Sequence, residues 1–470
     1  MHKLNEQDQA PRGIVVVDVG YTNTKAILFS SDLKIIASRK IASAHRDGDD
    51  YKIIDAEPTM EFLKTALREL DAIMPVDVIV PCAHGACLAL LTETGELAFP
   101  IMDYASQPPP IVIAEYLKLQ PPFSEVYCTL LPMALTHALQ IFWQQNLNAE
   151  KFKTVKTILP WIQYIALRLS GVAATEISSM ACQSQLLNVN TNAASNLAII
   201  HGWAKSFAPM HKAWKNLGAL RAEFAGDKFN GRAAVLAGVH DSNANYLRYL
   251  AGGLGNFTLL STGTWVISFN SAADITKLDH TKDTNTNTDV LGNTVACSRF
   301  FGGKELEVLS EGASADLADL KLVQKLLETA TMALPSFTDS GGPFPGSGNK
   351  GRITGLPPAN MAERASLAAL YCALMVSAQL DAVSSENQVI VDGPFSKHYV
   401  FLAILAQLRP SQKIHTSDLN DGTAAGAACL ALFQNGKPPV IEIELNAVAP
   451  AHLQHLQTYC KKWQASIKQG

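Results

Sequence analysis

The chain has 470 residues, of which 48% are hydrophobic and 17% are charged. Its 38 basic and 42 acidic residues give a formal net charge of −4 and form no long block of like charge. This length and composition predict two or three globular domains, and the charge argues against a nucleic-acid partner or an anionic membrane surface.

The cysteines and the first residues indicate the compartment. The eight cysteines include no CxxC pair and no Cys/His spacing typical of a metal site. Residues 1–12 are polar and lack the apolar core of a signal peptide, and no apolar stretch approaches the ~18 residues that a membrane span requires. We therefore expect a cytoplasmic protein with no membrane partner.

A polar turn separates two apolar, β-type runs near the start of the chain. Residues 13–17 and 26–29 flank the turn at 18–25, and this order predicts a β-hairpin. Carboxylate, glycine, hydroxyl and lysine groups together can hold a phosphate and its Mg²⁺ ion, although an ordinary hairpin turn has the same pattern. The candidates are Asp18 for the metal and Gly20, Thr22, Asn23, Thr24 and Lys25 for phosphate.

An acidic residue stands in a turn of small residues near the middle of the chain. An amphipathic helix at 60–70, a short strand at 77–80 and an apolar run at 233–237 are predicted before it. The string Gly-Val-His-Asp then ends at Asp241 and precedes a helical pattern. A carboxylate in such a turn is placed to act on a ligand, so Asp241 is a candidate general base.

The second half of the chain opens like the first. Residues 257–260 and 265–269 predict another hairpin around the uncharged turn Ser261, Thr262, Gly263 and Thr264, whose amides and hydroxyls suit phosphate oxygens. A plain hairpin is again the alternative, but two equivalent turns favour a duplication with a nucleotide between the halves. No P-loop motif is present, so nucleotide binding would need another architecture.

The remaining segments complete an α/β pattern. Helices are predicted at 362–380 and 399–408, a buried strand at 389–391, and a small-residue helix at 420–428. Residues 272–293 are rich in Thr, Asp and Asn and predict an exposed excursion. Residues 335–358 predict a long loop, and the GxGxxG spacing at 346–351 follows prolines rather than a strand, so it is interpreted as loop.

Several ordered motifs together resemble the FGGY family of carbohydrate kinases, in the actin-like ATPase superfamily. The turn at 18–25 resembles the first phosphate loop of the family, residues 238–241 its catalytic Gly-x-His-Asp, and residues 261–264 its second phosphate loop. Residues 392–394 and 424–428 resemble its adenosine-binding segments. The Ser-Thr-Gly-Thr-Trp string at 261–265 most resembles the branch that includes rhamnulokinase and L-fuculokinase.

The resemblance implies a fold and a set of roles. It implies two ribonuclease-H-like α/β domains around a central cleft, an N-terminal one at 1–235 and a C-terminal one at 236–470. Asp241 would be the general base and also lie near the metal, and Asp18 would help to hold Mg²⁺. ATP would additionally contact Gly393, Pro394, Ala424 and Gly426.

The implied sugar site lies in the first half. Its candidates are His84, Gly85, Asp103, Tyr104, Trp161 and Asp241. A structural role is the alternative for His84 and Trp161, because a lone histidine or a tryptophan in an apolar helix more often belongs to the core. The sequence lacks the arginine that often follows the Asp103 position in family members acting on common pentoses and polyols.

The leading hypothesis is an ATP- and Mg²⁺-dependent kinase that phosphorylates a hydroxyl of a ketose or deoxyketose, similar to rhamnulose or fuculose. A pentulose or polyol kinase of the same family is the nearest alternative. A non-catalytic sugar- or nucleotide-sensing protein on the same fold is an alternative of another class. The expected partner is a small-molecule sugar, and the sequence leaves the oligomeric state open, with a homodimer as one option.

Overall fold

A computed structural model describes residues 11–225, 233–417 and 421–468. The chain divides into two compact units. Unit 1 comprises residues 1–253, 287–294 and 421–442, and unit 2 comprises residues 254–286, 295–420 and 443–470. Both units are mixed α/β structures, in agreement with the predicted fold class.

Unit 1 contains the first fifteen strands. The longest of them are buried apolar segments rich in β-branched residues, which favour the extended conformation. The strands are β1 (Gly13–Val19), β2 (Asn23–Ser30), β3 (Ile35–Ala42), β4 (His45–Asp47), β5 (Lys52–Ile54), β6 (Val76–Ala83), β7 (Leu88–Leu91), β8 (Thr157–Pro160), β9 (Thr175–Glu176), β10 (Leu187–Asn188), β11 (Ala193–Ala194), β12 (Met210–His211), β13 (Asn216–Ala219), β14 (Ala234–Leu236) and β15 (Val239–His240).

The helices of unit 1 pack against its sheet and form a second layer of the unit. Helix α1 begins after Asp55, whose side chain accepts a hydrogen bond from the Glu57 amide, and it buries an apolar face against the sheet. The helices are α1 (Ala56–Ile73), α2 (Pro110–Leu117), α3 (Phe123–Val126), α4 (His137–Leu147), α5 (Ala149–Phe152), α6 (Trp161–Ser170), α7 (Ile177–Ala181), α8 (Asn196–Ile200), α9 (Ala222–Ala225), α10 (Asp241–Ala251) and α15 (Gly422–Ala428).

The main sheet of unit 1 has the order β13-β14-β6-β1-β2-β3, and β15 also pairs with β6. β1 and β2 form the predicted antiparallel hairpin, whereas β6 runs parallel to β1, β14 and β15. The carboxyl ends of these parallel strands therefore meet at one edge of the sheet, where α/β proteins usually bind their ligands.

Unit 2 repeats this arrangement with a long core helix. Its strands are β16 (Phe257–Thr262), β17 (Val266–Asn270), β18 (Thr284–Thr288, which ends in the 287–294 segment of unit 1), β19 (Thr294–Phe300), β20 (Met332–Leu334), β21 (Arg352–Thr354), β22 (Gln388–Asp392), β23 (Ile414–Ser417) and β24 (Asn446–Ala447). Its helices are α11 (Gly302–Ser310), α12 (Leu320–Glu328), α13 (Met361–Ala382), α14 (Tyr399–Leu408) and α16 (Leu456–Lys468).

The sheet of unit 2 has the order β18-β19-β17-β16-β22-β23-β24. The antiparallel hairpin β16–β17 was predicted, and β16, β22 and β23 run parallel. Each unit thus places an antiparallel hairpin beside parallel strands, and this common order agrees with the duplication suggested by the sequence. Helix α13 is long and apolar enough to cross a membrane, but 78% of its most apolar window is buried, as in a core helix.

Two sequence-based expectations differ from the structure. The domain boundary was placed at 235/236, whereas the first compact unit extends to residue 253 because β15 pairs with β6 and α10 packs against α15. The sequence predicts an exposed excursion at 272–293, but residues 284–290 of it are buried and include β18. The polar composition of this segment predicts exposure, but its buried Thr and Asn side chains find hydrogen-bond partners within the protein.

The small residues of α15 allow α10 and α15 to pack closely. A Cβ atom on Gly426 would lie 1.8 Å from the carbonyl oxygen of Ala244. We therefore expect Gly426→Ala to destabilise the protein by about 2–3 kcal/mol, because neither helix backbone can yield freely. Urea unfolding measures this loss. The matched change Thr423→Ala, at a partly exposed position of the same helix, should cost less than about 1 kcal/mol. Equal free energies of unfolding for the Gly426→Ala and Thr423→Ala variants would contradict this close packing.

Candidate active site

Three of the predicted functional segments follow the parallel strands of unit 1. In the register of the sheet, Asp18 lies beside Cys82, and His240 lies beside Ala83. The residues that follow β1, β6 and β15 are therefore neighbours at one sheet edge, and the amide of His84 donates to the carbonyl of Val19 (3.1 Å). The structure brings together the first phosphate turn, His84 and Asp241.

Asp241 is the first residue of α10, rather than part of a separate turn. Its Oδ1 accepts hydrogen bonds from the amide (2.6 Å) and hydroxyl (3.2 Å) of Ser242. Its Oδ2 has no hydrogen-bond partner among the residues that the structure describes, and 31% of the side chain is exposed. One oxygen of Asp241 is thus held by the protein and the other is available to a ligand.

The neighbouring His240 lies beside this carboxylate. Burial lowers the pKa of His240, which favours the neutral imidazole ring. The side-chain amide of Asn243 lies 3.2 Å from Nδ1, and Oδ1 of Asp241 lies 3.2 Å from Nε2. With Nδ1 accepting from Asn243, the proton is on Nε2, the ring nitrogen nearest Asp241.

Gly238 and Gly85 make room for this arrangement. Gly238 has a positive φ of 86°, and a Cβ there would lie 2.4 Å from the carbonyl oxygen of Pro81. A Cβ on Gly85 would lie 2.8 Å from Nε2 of His240. Both glycines therefore permit a close approach of the backbone that other residues would prevent. For Gly85, this packing role is distinct from its predicted contact with the sugar.

The environment of Asp18 suits a divalent cation. The pKa of Asp18 is raised to about 7, first by burial and then by the negative charge of Asp241, while Lys25 partly offsets both. Lys25 itself forms an ion pair with Asp421 at 2.5 Å. A buried carboxylate whose ionisation is opposed by a neighbouring negative charge leaves a local demand for positive charge.

No group of three or more His, Cys, Asp or Glu side chains arranged for a metal occurs in the described ranges. Mg²⁺ at phosphoryl-transfer sites is commonly held by one or two carboxylates, with water and substrate phosphates as the other ligands. Asp18 and Asp241 are consistent with that kind of site. They are not consistent with a metal site built from protein ligands alone.

Only some of the side chains in the first phosphate turn are exposed and could contact a ligand. Thr22 and Asn23 are exposed, and Gly20 is partly exposed. Thr24 is completely buried, and its hydroxyl lies 3.0 Å from the hydroxyl of Ser43. The Thr24 side chain therefore stabilises the turn from inside the protein. Side chains alternate between the two faces of β2, and Thr24 falls on the buried face.

His84 offers a hydrogen-bond acceptor at the sheet edge. Its Nδ1 lies 3.0 Å from the carbonyl oxygen of Gly85, which can only accept, so Nδ1 carries the proton. Burial lowers the pKa of His84 and thereby favours the neutral ring. Nε2 then keeps its lone pair, and no partner for it is found in the described part of the chain.

Asp103 is enclosed and Tyr104 is not. Asp103 has no exposed surface and accepts hydrogen bonds from Tyr21, from Nδ1 of His45 (2.8 Å) and from the Ala105 amide (2.8 Å). Tyr104 is partly exposed, with its ring 5.5 Å from that of His84. Tyr21 and His45 are not predicted from the sequence as partners of Asp103, because no linear spacing connects them to it.

Three other predicted contacts are buried within unit 1. Trp161 is completely buried in the core, with its ring stacked on Tyr164 at 6.0 Å. Ala424 and Gly426 are enclosed where α15 packs against α10 and the sheet. The structure therefore gives these residues a packing role, and it provides no exposed surface for their predicted contacts with sugar or nucleotide.

In unit 2, the second phosphate turn is joined to the Asp-Gly-Pro segment. The Thr262 hydroxyl donates to the carbonyl of Asp392 (2.5 Å) and accepts from the amide of Phe395 (3.1 Å). Gly393 has a φ of 88°, and a Cβ there would lie 2.0 Å from the carbonyl oxygen of Thr262. The Thr262 side chain is thus structural, whereas Ser261 and Gly263 are partly exposed and Thr264 is exposed.

A cavity of about 580 Å³ lies beside these two segments. Gly263 and Thr264 line one part of it and Pro394 another. Gly303, in the first turn of α11, also lines the cavity and was not among the residues predicted from the sequence. Its amide donates to the carbonyl of Thr264 (3.1 Å). A Cβ on Gly303 would lie 2.3 Å from the carbonyl oxygen of Gly263, so a larger residue would not fit there. In the sequence, the glycine pair 302–303 before an amphipathic helical pattern was the signal that could have indicated this close approach. The other lining residues are Lys304, Leu306, Glu307, Ala315, Asp316, Phe395, Lys397 and His398.

Comparison with known proteins identifies the family. The family described as carbohydrate kinase FGGY, C-terminal domain, matches residues 254–439. A carbohydrate kinase from Novosphingobium aromaticivorans is 32% identical, with a TM-score of 0.88 over 98% of this chain and 100% of that one. The chain belongs to the FGGY carbohydrate kinase family. It is therefore a sugar kinase, a phosphotransferase of a family that uses ATP as its phosphate donor.

More distant structures share the fold of this kinase. A ligand-bound xylulose kinase from Lactobacillus acidophilus is 16% identical, with a TM-score of 0.80 and 97% of each chain covered. A glycerol kinase from Plasmodium falciparum, solved with ADP, is 13% identical, with a TM-score of 0.77 over 97% of this chain and 98% of that one. A search of curated protein sequences finds no match. The closer resemblance to rhamnulokinase and L-fuculokinase stays a prediction.

Proposed function

We propose that this kinase transfers the γ-phosphoryl group of ATP to a hydroxyl of a ketose or deoxyketose, with Asp241 as the general base. The observation that carries the proposal is the free Oδ2 of Asp241, whose other oxygen is held by the amide and hydroxyl of Ser242. A base must reach the proton that it removes, and a fixed carboxylate with one open oxygen meets that requirement.

The proposed reaction is an in-line displacement. The sugar hydroxyl gives its proton to Oδ2 of Asp241 while its oxygen forms a bond to the γ-phosphorus. The bond from the γ-phosphorus to the bridging oxygen breaks, and ADP leaves with that electron pair. Because an aspartate is a weak base near neutral pH, positioning and charge stabilisation should supply most of the rate enhancement.

Asp18, with Asp241 nearby, is proposed to hold Mg²⁺. When bound, the ion would neutralise phosphate charge and help to align the phosphates for transfer. The raised pKa of Asp18 supports this role, because a bound cation would offset the repulsion from Asp241. Lys25 would contribute positive charge beside the phosphates, with Asp421 keeping its side chain in place.

The nucleotide is proposed to bind to unit 2. The cavity lined by Gly263, Thr264 and Pro394 has a size suitable for a nucleoside, and the amides of the second turn would contact phosphate oxygens. Gly393 supports this site indirectly, because its backbone packs against Thr262 and sets the position of the turn.

The sugar is proposed to bind at the sheet edge of unit 1. Nε2 of His84 would accept a hydrogen bond from a sugar hydroxyl, because Nδ1 is committed to the carbonyl of Gly85. The exposed part of Tyr104 would contact the same ligand. A sugar bound there would also lie near Asp241, because the residues that follow β6 and β15 are neighbours at this edge.

A coupled ADP assay over ketoses, deoxyketoses, pentuloses and polyols tests the substrate class. We expect ADP release only when sugar is present, with kcat/KM at least ~10-fold higher for one ketohexose or deoxyketohexose than for any pentulose or polyol, since specific sites commonly discriminate by this much. Wild-type protein without sugar is the control. Sugar-independent ADP release of equal rate would contradict the proposal.

A pentulose or polyol kinase is the second candidate. The names of the xylulose kinase and glycerol kinase that share the fold favour it. The same panel decides between the two, since the highest kcat/KM for xylulose, ribulose or glycerol would establish the second candidate.

A further inference from the structure

We propose that Glu176 is a positioning residue for Asp241. In its protonated form, Glu176 is the centre of a buried hydrogen-bond network that holds the chain on both sides of Asp241, and loss of the proton loosens this network. The inference rests on the proposed function, because it needs Asp241 to be the general base. It goes beyond that function by adding a residue that acts on the base from within the protein.

Glu176 carries a fully buried carboxyl group. It has no exposed surface, and its Oε2 accepts hydrogen bonds from the hydroxyl of Ser178 (2.6 Å) and from the amide (3.0 Å) and hydroxyl (3.1 Å) of Ser179. Within residues 11–225, 233–417 and 421–468, its Oε1 has no hydrogen-bond partner. A buried carboxylate without a compensating positive charge is costly, so this group has a strong reason to remain neutral.

Gln163 connects this carboxyl group to the chain before Asp241. Its side-chain amide donates to the hydroxyl of Ser179 (3.3 Å), which in turn donates to Glu176. The same amide also donates to the carbonyl of Ala237 (3.1 Å), immediately before the Gly-Val-His-Asp string. Gln163 is completely buried, so no solvent competes for these bonds. The network therefore holds the backbone that leads into the catalytic segment.

Asn243 connects the same network to the chain after Asp241. Its side-chain amide donates to the carbonyl of Ser178 (3.3 Å), whose hydroxyl donates to Glu176. The amide also lies 3.2 Å from Nδ1 of His240. Asn243 belongs to the first turn of α10, which begins at Asp241. Hydrogen bonds that lead back to Glu176 thus hold the chain on both sides of the proposed base.

Three oxygens of the network lack a donor. Oε1 of Glu176, Oε1 of Gln163 and Oδ1 of Asn243 are all buried, and the described part of the structure offers no partner for any of them. All three can only accept when Glu176 is ionised. A proton on Oε1 of Glu176 removes the buried charge and changes one of these acceptors into a donor. The composition of the network therefore favours the neutral acid.

The surroundings of Glu176 agree with this protonation state. Burial raises the pKa of Glu176 to about 7, although the hydrogen bonds from the two serines act in the opposite sense. The titratable groups on the elements around it are His211, which lies beside it in the register of β9 and β12, Cys182 at the end of α7, and His240 and Asp241 where β15 meets α10. Burial and the serine hydrogen bonds, rather than any of these groups, determine the shift.

Ionisation of Glu176 should displace Asp241. The carboxylate would repel the unpaired oxygens of Gln163 and Asn243, which hold the residues before and after the catalytic string. A base must meet its proton at hydrogen-bond distance, so a small displacement of Asp241 lowers kcat. The second phosphate turn and its cavity lie in unit 2, so KM for ATP should change little.

Glu176→Gln tests the protonated form, because the amide is uncharged and has the shape of the acid. We expect its kcat to lie within about 3-fold of the wild type near pH 6, and the ratio of variant to wild-type kcat to rise about 5-fold or more by about pH 8.5. The urea midpoint of the wild type should also fall relative to the variant as pH rises from about 4.5 to about 7, since an acid whose pKa rises on folding destabilises the native state over this interval. A kcat ratio that does not change with pH, or a constant difference in midpoint, would overturn the inference.

Glu176→Ala tests whether the effect passes through Asp241. We expect kcat near pH 6 to fall about 10-fold or more in the wild-type background but less than about 3-fold in the Asp241→Asn background, with KM for ATP within about 3-fold in both. Equal losses in the two backgrounds would show an independent structural role and overturn the inference. If Glu176→Ala does not fold, the pH comparison with Glu176→Gln decides alone.

Glu125→Gln is the matched control. Glu125 is another buried glutamate of unit 1, and its two oxygens accept from the backbone and side-chain amides of Asn196. This variant should leave kcat and its pH dependence within about 2-fold of the wild type. An undiminished kcat in Asp241→Asn would instead overturn the proposed function, because the network would then have no base to position.

Discussion

Replacing Asp241 with asparagine should reduce kcat by about 10²- to 10⁴-fold, the usual contribution of a general base. The change keeps the shape of the side chain and removes the lone-pair basicity of Oδ2. The amide and hydroxyl of Ser242 would still donate to Oδ1, so we expect the local structure to persist. KM for the sugar should change far less than kcat, because the proton transfer belongs to the transition state.

Asp274→Asn is the matched control for this variant. Asp274 is a half-exposed carboxylate that caps a short helical turn of unit 2, where it bonds to Thr276. The same isosteric change there should leave kcat within about 2-fold, since surface changes away from a site have small effects. An Asp241→Asn enzyme with more than about a tenth of wild-type kcat would show that the proton goes elsewhere.

Asp18→Asn should produce the second large loss of activity. Removal of one charged group that supports a metal or phosphate site typically costs about 10²- to 10³-fold in kcat. We also expect the Mg²⁺ concentration needed for half-maximal activity to rise, because the variant offers one carboxylate fewer. Titration of activity with Mg²⁺ at saturating ATP measures both effects, and an unchanged Mg²⁺ dependence would contradict a metal role for Asp18.

The same variant should be more stable than the wild type at alkaline pH in the absence of Mg²⁺. The pKa of Asp18 is raised from 3.8 to about 7 by folding, chiefly through burial. An acid whose pKa rises on folding destabilises the native state as pH increases from its unfolded pKa to its folded pKa. The advantage of Asp18→Asn should therefore be absent below about pH 4, grow up to about pH 7 and then level off at a few kcal/mol. Urea unfolding at pH 4, 6 and 8 measures it, and an equal difference at all three values would contradict the raised pKa.

The parts of the fold that sequence predicted correctly depend on local patterns. The hairpins around residues 18–25 and 261–264 are encoded by β-branched runs on either side of a polar turn, and both are present. Helix α14 was predicted with its observed bounds because an unbroken apolar run follows a turn. Periodicity and turn chemistry are read from neighbouring residues, so they needed no knowledge of tertiary contacts.

The side-chain roles that sequence did not resolve depend on distant partners. Thr24 was expected to face phosphate, but Ser43 holds its hydroxyl inside the protein. Asp103 was expected to contact the sugar, but His45 and Tyr21, 58 and 82 positions away, use its carboxylate. Gly426 was expected to contact the nucleotide, but the backbone of α10 occupies the space beside it. No local pattern reports which distant group will meet a given side chain.

Phosphorus NMR of the complete reaction tests the central claim most directly. Wild-type protein, ATP, Mg²⁺ and the best sugar of the panel should yield a sugar phosphate ester and ADP in equal amounts, whereas Asp241→Asn should yield neither at a comparable rate. Calorimetric binding of the sugar without formation of the ester would favour the sensing alternative. Formation of ADP and free phosphate without the ester, or an undiminished rate of ester formation in Asp241→Asn, would contradict a sugar kinase that uses Asp241 as its base.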